Sequence, residues 1–300
     1  MGSLKGRVAI VTGAGSGLGR EHARLLGAEG AAVVVNDVGA AVTGEGRDAS
    51  AAEAVAAEIR AAGGEAVADT HDISTWDGGR ALVDGAVERY GEVHVLVNNA
   101  GILRERMLFN MSEDDWDAVI AVHLKGHFVP TRWAAAHWRD AAKAGADVDA
   151  VVINTSSASG LFGQPGQISY GAAKAGIAGF TSIAAKELGR YGVRVNAIVP
   201  AARTRMTDAT TQLAEAFRAP DSGFDRWDPA NVSPLVAALA REACPITGEV
   251  FYVSGGTVRR MQPWRMAEEL VTDGRWSVDA LADRLGDLPR TEASEPSSLL

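Results

Sequence analysis

Short β-branched runs, apolar at nearly every position, recur at residues 8–11, 32–36, 65–69, 93–97, 150–154, 194–198 and 249–253. A strand with one wet face alternates apolar and polar side chains. A run without that alternation is buried on both faces, as in a parallel sheet covered by helices. Between the runs lie alanine-rich segments of helical character at 21–29, 49–62, 76–90, 113–143, 170–191 and 231–242. Seven strands with interposed helices predict an α/β fold built on a doubly wound, parallel, seven-stranded sheet. No fixed-period repeat and no low-complexity linker divides the chain, so residues 1–255 read as one domain. Two stretches fall outside the alternation: a glycine-containing insert at 39–48, and an extension at 256–300. The extension has helix-like pieces at 264–272 and 278–285, and its polar end at 291–298 is expected to lack fixed structure.

Composition narrows the function classes. The 300 residues are 47% hydrophobic and 22% charged, enough apolar material for a sizeable core. A net charge of −9 argues against nucleic acid as a partner, which would need a clustered basic face. The single cysteine, Cys244, excludes an intrachain disulfide framework. The apolar stretch nearest the start is too short for a signal segment or a membrane span. The expected setting is the cytoplasm, with no membrane partner.

The first run opens into Thr12-Gly13-Ala14-Gly15-Ser16-Gly17-Leu18-Gly19, and a helical segment follows. A pyrophosphate can rest on a helix N-terminus only if backbone N–H groups approach it without intervening Cβ atoms. Gly13, Gly17 and Gly19 meet that need, with Ser16 and Leu18 between them; the plainer alternative is a flexible glycine turn. Asp37, at the end of the second run, stands where an acid can accept hydrogen bonds from the adenosine ribose hydroxyls. A carboxylate there repels a 2′-phosphate, which favours NAD over NADP. Arg20 and Arg47 remain within sequence reach of such a phosphate.

Tyr170 and Lys174 stand at i, i+4 on a helical segment, which places phenol and ammonium one turn apart on one face. A neighbouring ammonium favours the phenolate and lowers its pKa from about 10, so that the phenol can exchange a proton with an alcohol. Serines in the 154–159 loop, just past a strand end, offer a hydroxyl for the same oxygen. Metal catalysis has little support, because the histidines lack carboxylate or cysteine partners at ligand spacing. Gly15-Ser16-Gly17 does not have the spacing of a hydrolase nucleophile elbow.

Together, Thr12–Gly19, Asn98-Asn99-Ala100-Gly101, Ser157 and Tyr170-x-x-x-Lys174 resemble the short-chain dehydrogenase/reductase family over roughly residues 5 to 255. The resemblance implies a Rossmann-type catalytic domain that binds a nicotinamide dinucleotide, and usually a homotetramer. It implies that Ser157 orients the substrate oxygen and Tyr170 is the acid/base. Lys174 is implied to bind the nicotinamide ribose and lower the tyrosine pKa. Asp72, followed by Ile73, matches the family's adenine-contacting acid, and Asn99, Ala100 and Gly101 border the cofactor. Pro200 and Thr204 match the segment that holds the carboxamide, although the usual Pro-Gly is Pro200-Ala201 here.

A narrower likeness lies in Asn36-Asp37-Val38-Gly39 with the insert after it, Gly101-Ile102-Leu103-Arg104, and Val122-His123-Leu124-Lys125-Gly126. These resemble the (3R)-hydroxyacyl-CoA dehydrogenase part of multifunctional enzyme type 2 and its bacterial relatives. His123 stands where most of the family carries a relay asparagine; it is either a differently built relay or a packed helix histidine. The implied substrate is a secondary alcohol on an acyl-CoA, or a steroid-like one. A 3-oxoacyl-carrier-protein reductase is the nearest alternative, and a catalytically silent NAD-binding regulator is the alternative from another class. After Pro200, a segment with Phe217, Phe224 and Trp227 reads as a cover over a hydrophobic substrate. Arg203 and Arg205 in it are either contacts for CoA phosphates or solvated charges.

Overall fold

The computed structural model describes residues 2–208, 211–262, 264 and 266–289. Eight strands form one sheet: β1 Val8–Thr12, β2 Ala32–Asn36, β3 Glu65–Asp69, β4 Val95–Asn98, β5 Ala150–Thr155, β6 Val193–Pro200, β7 Val250–Ser254 and β8 Thr257–Arg260. Their order is β3-β2-β1-β4-β5-β6-β7-β8. All pairings are parallel except that of β8 with β7.

The helices are α1 Gly17–Ala28, α2 Ser50–Ala61, α3 Trp76–Tyr90, α4 Glu113–Ile120, α5 Gly126–Lys143, α6 Ala158–Phe162, α7 Ile168–Leu188, α8 Arg205–Asp208, α9 Thr211–Ala216, α10 Ser233–Ala240 and α11 Val278–Gly286. They cover both faces of the sheet, which is why the strand runs carry no polar alternation. Along β1, Ala9 and Val11 join the core beneath α1, α2 and α10, whereas Ile10 joins the core beneath α3 and α5. Chain order reverses at β1, which pairs with β2 on one side and β4 on the other. In open α/β sheets ligands bind in the crevice that opens at such a switch point, beyond the C-terminal strand ends.

Three expectations change. The parallel seven-stranded sheet is present, but an eighth, antiparallel strand extends it. The chain turns back at Gly255 (φ 51°) and Gly256, and β8 pairs with β7 through Arg260. Its residues are mostly exposed, so β8 carries no apolar run to betray it. Residues 264–272 form no helix where they are described; Trp264 is 92% and Met266 100% exposed, so neither of these large apolar side chains is buried within this chain. The piece at 278–285 is helical, as α11. Residues 291–298 lie outside the described residues.

The single helix expected over 113–143 is α4 and α5 joined through a widened π turn at Ala121–Lys125. Among the described residues no helix is long and apolar enough to cross a membrane.

Candidate active site

At the end of β1 the chain enters a glycine turn that leaves no room for side chains. Gly13 (φ 63°) and Gly17 (φ 54°) adopt the left-handed conformation that side chains disfavour. A Cβ on Gly13 would lie 2.6 Å from the Ala100 Cα, and one on Gly19 would lie 2.2 Å from the Gly13 carbonyl oxygen. The 98–101 segment braces this turn. Asn99 Nδ2 donates to the carbonyls of Thr12 (3.0 Å) and Gly13 (3.1 Å), and the Thr12 hydroxyl accepts from the Asn99 and Ala100 backbone N–H groups. The start of α1 is thereby fixed with exposed N–H groups and no acidic residue in its first turn. Such a cradle fits a dinucleotide pyrophosphate.

Asp37 continues directly from β2, and its carboxylate accepts from the backbone N–H groups of Gly15 (2.7 Å) and Gly39 (2.7 Å). Asp72 accepts from the Ser74 N–H and hydroxyl, and pairs with Arg47 at 3.0 Å. Arg20 is held by Glu21 and, at 2.8 Å, by Glu58. Both arginines within sequence reach of a 2′-phosphate thus already face carboxylates. The 39–48 insert folds across to the 101–106 loop through Leu103 N–H to Val42 O (2.9 Å) and Arg104 Nε to Thr43 O (2.9 Å).

At the other end of the cleft, α7 presents Tyr170 and Lys174. Lys174 is buried, and its Nζ donates to the Thr155 carbonyl at 2.6 Å. That burial lowers its pKa to about 7. Tyr170 is half-buried and stands beside the Ser157 hydroxyl, which accepts from Ser159 N–H as the N-cap of α6. Burial pushes the phenol above its ordinary value, the neighbouring Ser157 hydroxyl pulls it back, and the Glu105 charge pushes it up further. The lysine sits 5.5 Å from the phenol ring centroid. Burial is the largest influence on both groups.

His123, in the π turn, is buried and packs edge-on against the Tyr170 ring at 5.1 Å between centroids. Its Nε2 lies 2.7 Å from the Ile102 carbonyl oxygen, and its Nδ1 is buried without a hydrogen-bond partner. Burial and the Lys174 charge hold this ring far below its usual pKa, so it is neutral. Gly101 makes room for it, since a Cβ there would lie 2.4 Å from His123 Cε1.

The cleft joining these ends has a volume of about 430 Å³. Every residue predicted for the site lines it except Gly19, which lies beneath the turn. Pro200 closes β6, and the Thr204 methyl lies 3.8 Å from where a Gly17 Cβ would stand. The cover after Pro200 is pinned by Arg203, whose guanidinium pairs with Asp225 at 2.6 Å and donates to the Phe217 carbonyl at 3.1 Å. Phe217 is buried and lies 4.2 Å from Trp227, centroid to centroid. Arg203 thus pins this segment through Asp225 and the Phe217 carbonyl. Arg205 reaches the glycine turn instead, donating to Ser16 Oγ at 2.6 Å.

Sequence reasoning missed Glu105 and Gln167, which are hydrogen-bonded to each other beside the phenol. They lie on separate segments, and no spacing rule joins them. It also missed the Thr155 carbonyl that holds Lys174, because a backbone acceptor leaves no mark in residue type.

The arrangement is a dinucleotide cradle at one end of a cleft and a phenol–hydroxyl–amine group at the other, which suits hydride transfer coupled to proton transfer at an alcohol or ketone. The family described as short chain dehydrogenase matches residues 7–216. A hydroxyacyl-CoA dehydrogenase of Mycobacterium tuberculosis, ChsB1, is 47% identical over 293 residues, covering 95% of this chain and 89% of that protein. A short chain dehydrogenase from Mycobacterium avium superposes with a TM-score of 0.85 at 50% identity, covering 96% of this chain and 95% of the other. The full-length peroxisomal multifunctional enzyme type 2 of Drosophila melanogaster superposes with a TM-score of 0.73 at 33% identity; 98% of this chain is covered, against 46% of that enzyme. The chain belongs to the short-chain dehydrogenase/reductase family and is a nucleotide-dependent oxidoreductase.

Proposed function

We propose that this enzyme interconverts a 3-hydroxyacyl-CoA and the corresponding 3-oxoacyl-CoA with NAD as hydride carrier. The observation that carries the reading is that the Tyr170 phenol, the Ser157 hydroxyl and a buried Lys174 line one end of a cleft whose other end holds the glycine turn and Asp37. The substrate class rests on the hydroxyacyl-CoA dehydrogenase likeness and on the apolar cover around Phe217. We place the catalytic unit in residues 1–255 with 256–300 as an extension, and the working form as a cytoplasmic homotetramer, on the family resemblance.

The glycine turn would hold the pyrophosphate, Asp37 the adenosine ribose, and Asp72 and Ile73 the adenine. Lys174 would hold the nicotinamide ribose, and Pro200 and Thr204 the carboxamide. When bound, the nicotinamide ring accepts or returns the hydride. In the oxidising direction the Tyr170 phenolate takes the proton from the substrate hydroxyl; in the reducing direction the Tyr170 phenol returns it. Ser157 holds the same oxygen and so fixes which proton moves. Burial opposes the phenolate; a protonated Lys174, 5.5 Å from the ring centroid, would offset that opposition.

NAD rather than NADP follows from Asp37, whose charge faces the ribose position. Arg20 and Arg47, already paired with Glu58 and Asp72, lack free charge to offset it. A steady-state panel tests the reading: NAD and NADP, each with 3-hydroxyacyl-CoA esters, carrier-protein thioesters and hydroxysteroids. The expected result is the highest kcat/KM with NAD and a CoA ester. Preference for a carrier-protein thioester with NADP would replace the reading with that of a 3-oxoacyl-carrier-protein reductase.

A further inference from the structure

Arg205 opens α8 on the cover segment, yet its guanidinium points back across the cleft to Ser16 Oγ at 2.6 Å. Ser16 is the N-cap of α1, and its side chain makes no capping hydrogen bond to that helix. A helix N-terminus carries a partial positive charge and unpaired N–H donors, so a cation is the wrong neighbour for it. No acidic residue occupies the first turn of α1, and among the described residues Arg205 makes no ion pair. Two positive groups, the α1 terminus and the Arg205 guanidinium, thus converge on one spot. An anion placed between them would be attracted by both.

The geometry points to Arg205 as a clamp on the cofactor's diphosphate, carried by the substrate cover rather than by the nucleotide-binding half. The inference rests on the dinucleotide reading above and adds a residue to it. Arg205 follows Thr204, whose methyl already packs over Gly17, so the guanidinium needs only to turn from the Ser16 hydroxyl onto a phosphate oxygen. A guanidinium offers planar paired donors to such oxygens. The same segment carries Phe217 and is pinned by Arg203 to Asp225. A diphosphate held by Arg205 would therefore tie this segment to the cofactor end of the cleft.

Calorimetric titration of the full chain tests this with three probes: ADP-ribose and NADH, which carry the diphosphate, and adenosine, which does not. Arg205→Gln is expected to weaken ADP-ribose and NADH about tenfold, the lower range for losing a hydrogen bond to a charged group, and to leave adenosine unchanged. Arg205→Lys should recover part of the loss. Limited proteolysis supplies a second readout: ADP-ribose should protect the 201–229 segment in the wild type and protect it less in Arg205→Gln. Equal affinities for ADP-ribose in wild type and Arg205→Gln would overturn the clamp, as would a parallel loss of adenosine. Failure of the wild type to bind ADP-ribose would overturn the dinucleotide reading itself, and the clamp with it.

Discussion

Gly19 marks the tightest constraint in the site, because the atoms its missing side chain would meet cannot move aside. A Cβ there would face the Gly13 carbonyl oxygen at 2.2 Å and Asn99 Nδ2 at 2.6 Å. The first contact is backbone, and the second is the amide that braces the turn. Gly19→Ala is therefore expected to shift the start of α1 away from β1 and weaken NADH binding by more than about tenfold, with the circular dichroism of the sheet unchanged. Fluorescence titration with NADH measures this; wild-type affinity would mean the turn is not the phosphate cradle. The charged residues were harder to read from sequence. Asp37 and Ser157 follow strand ends and Tyr170 and Lys174 stand one helical turn apart, so their placement was legible. What surrounds them was not. Lys174 is held by a backbone carbonyl, and the phenol pKa is governed by burial more than by the lysine.

The elements follow the same division between local pattern and remote contact. β1 to β7 were legible because parallel strands covered on both faces leave unbroken apolar runs. β8 was not, since an exposed edge hairpin needs only a glycine turn and partners for its backbone groups. The π turn at Ala121–Lys125 leaves no sequence signature either: it inserts one residue into a continuous helical pattern and sets His123 beneath the Tyr170 ring. The two alternatives for His123 narrow accordingly. It is a packed, neutral side chain that braces Ile102 and touches the Tyr170 ring. Of the aromatic residues read after β6 as a cover, Phe217 lines the cleft and Phe224 is exposed, and the pairing of Arg203 with Asp225 depends on a return of the chain that no spacing announces.

At the scale of the whole molecule, His22, His123 and His127 are fully buried on the two faces of the sheet, and burial lowers the pKa of each, that of His22 to about 3. An unfolded chain returns them to about 6.5. Below that pH the unfolded state binds protons the folded state refuses, so folding stability is intact above about 6.5 and falls as the pH drops. The three together contribute a slope of up to roughly 4 kcal/mol per pH unit. Urea unfolding at pH 7 and pH 5 should show a clear loss, and His22→Gln should reduce the difference; a pH-independent midpoint would contradict neutral burial. The catalytic claim is tested most directly by Tyr170→Phe, which removes one oxygen and leaves the packing. NADH titration and NAD reduction with a 3-hydroxyacyl-CoA ester should be measured on the same preparation. The account predicts NADH affinity within about twofold of wild type and kcat lowered by at least about a hundredfold; retained turnover would contradict Tyr170 as the group that moves the proton.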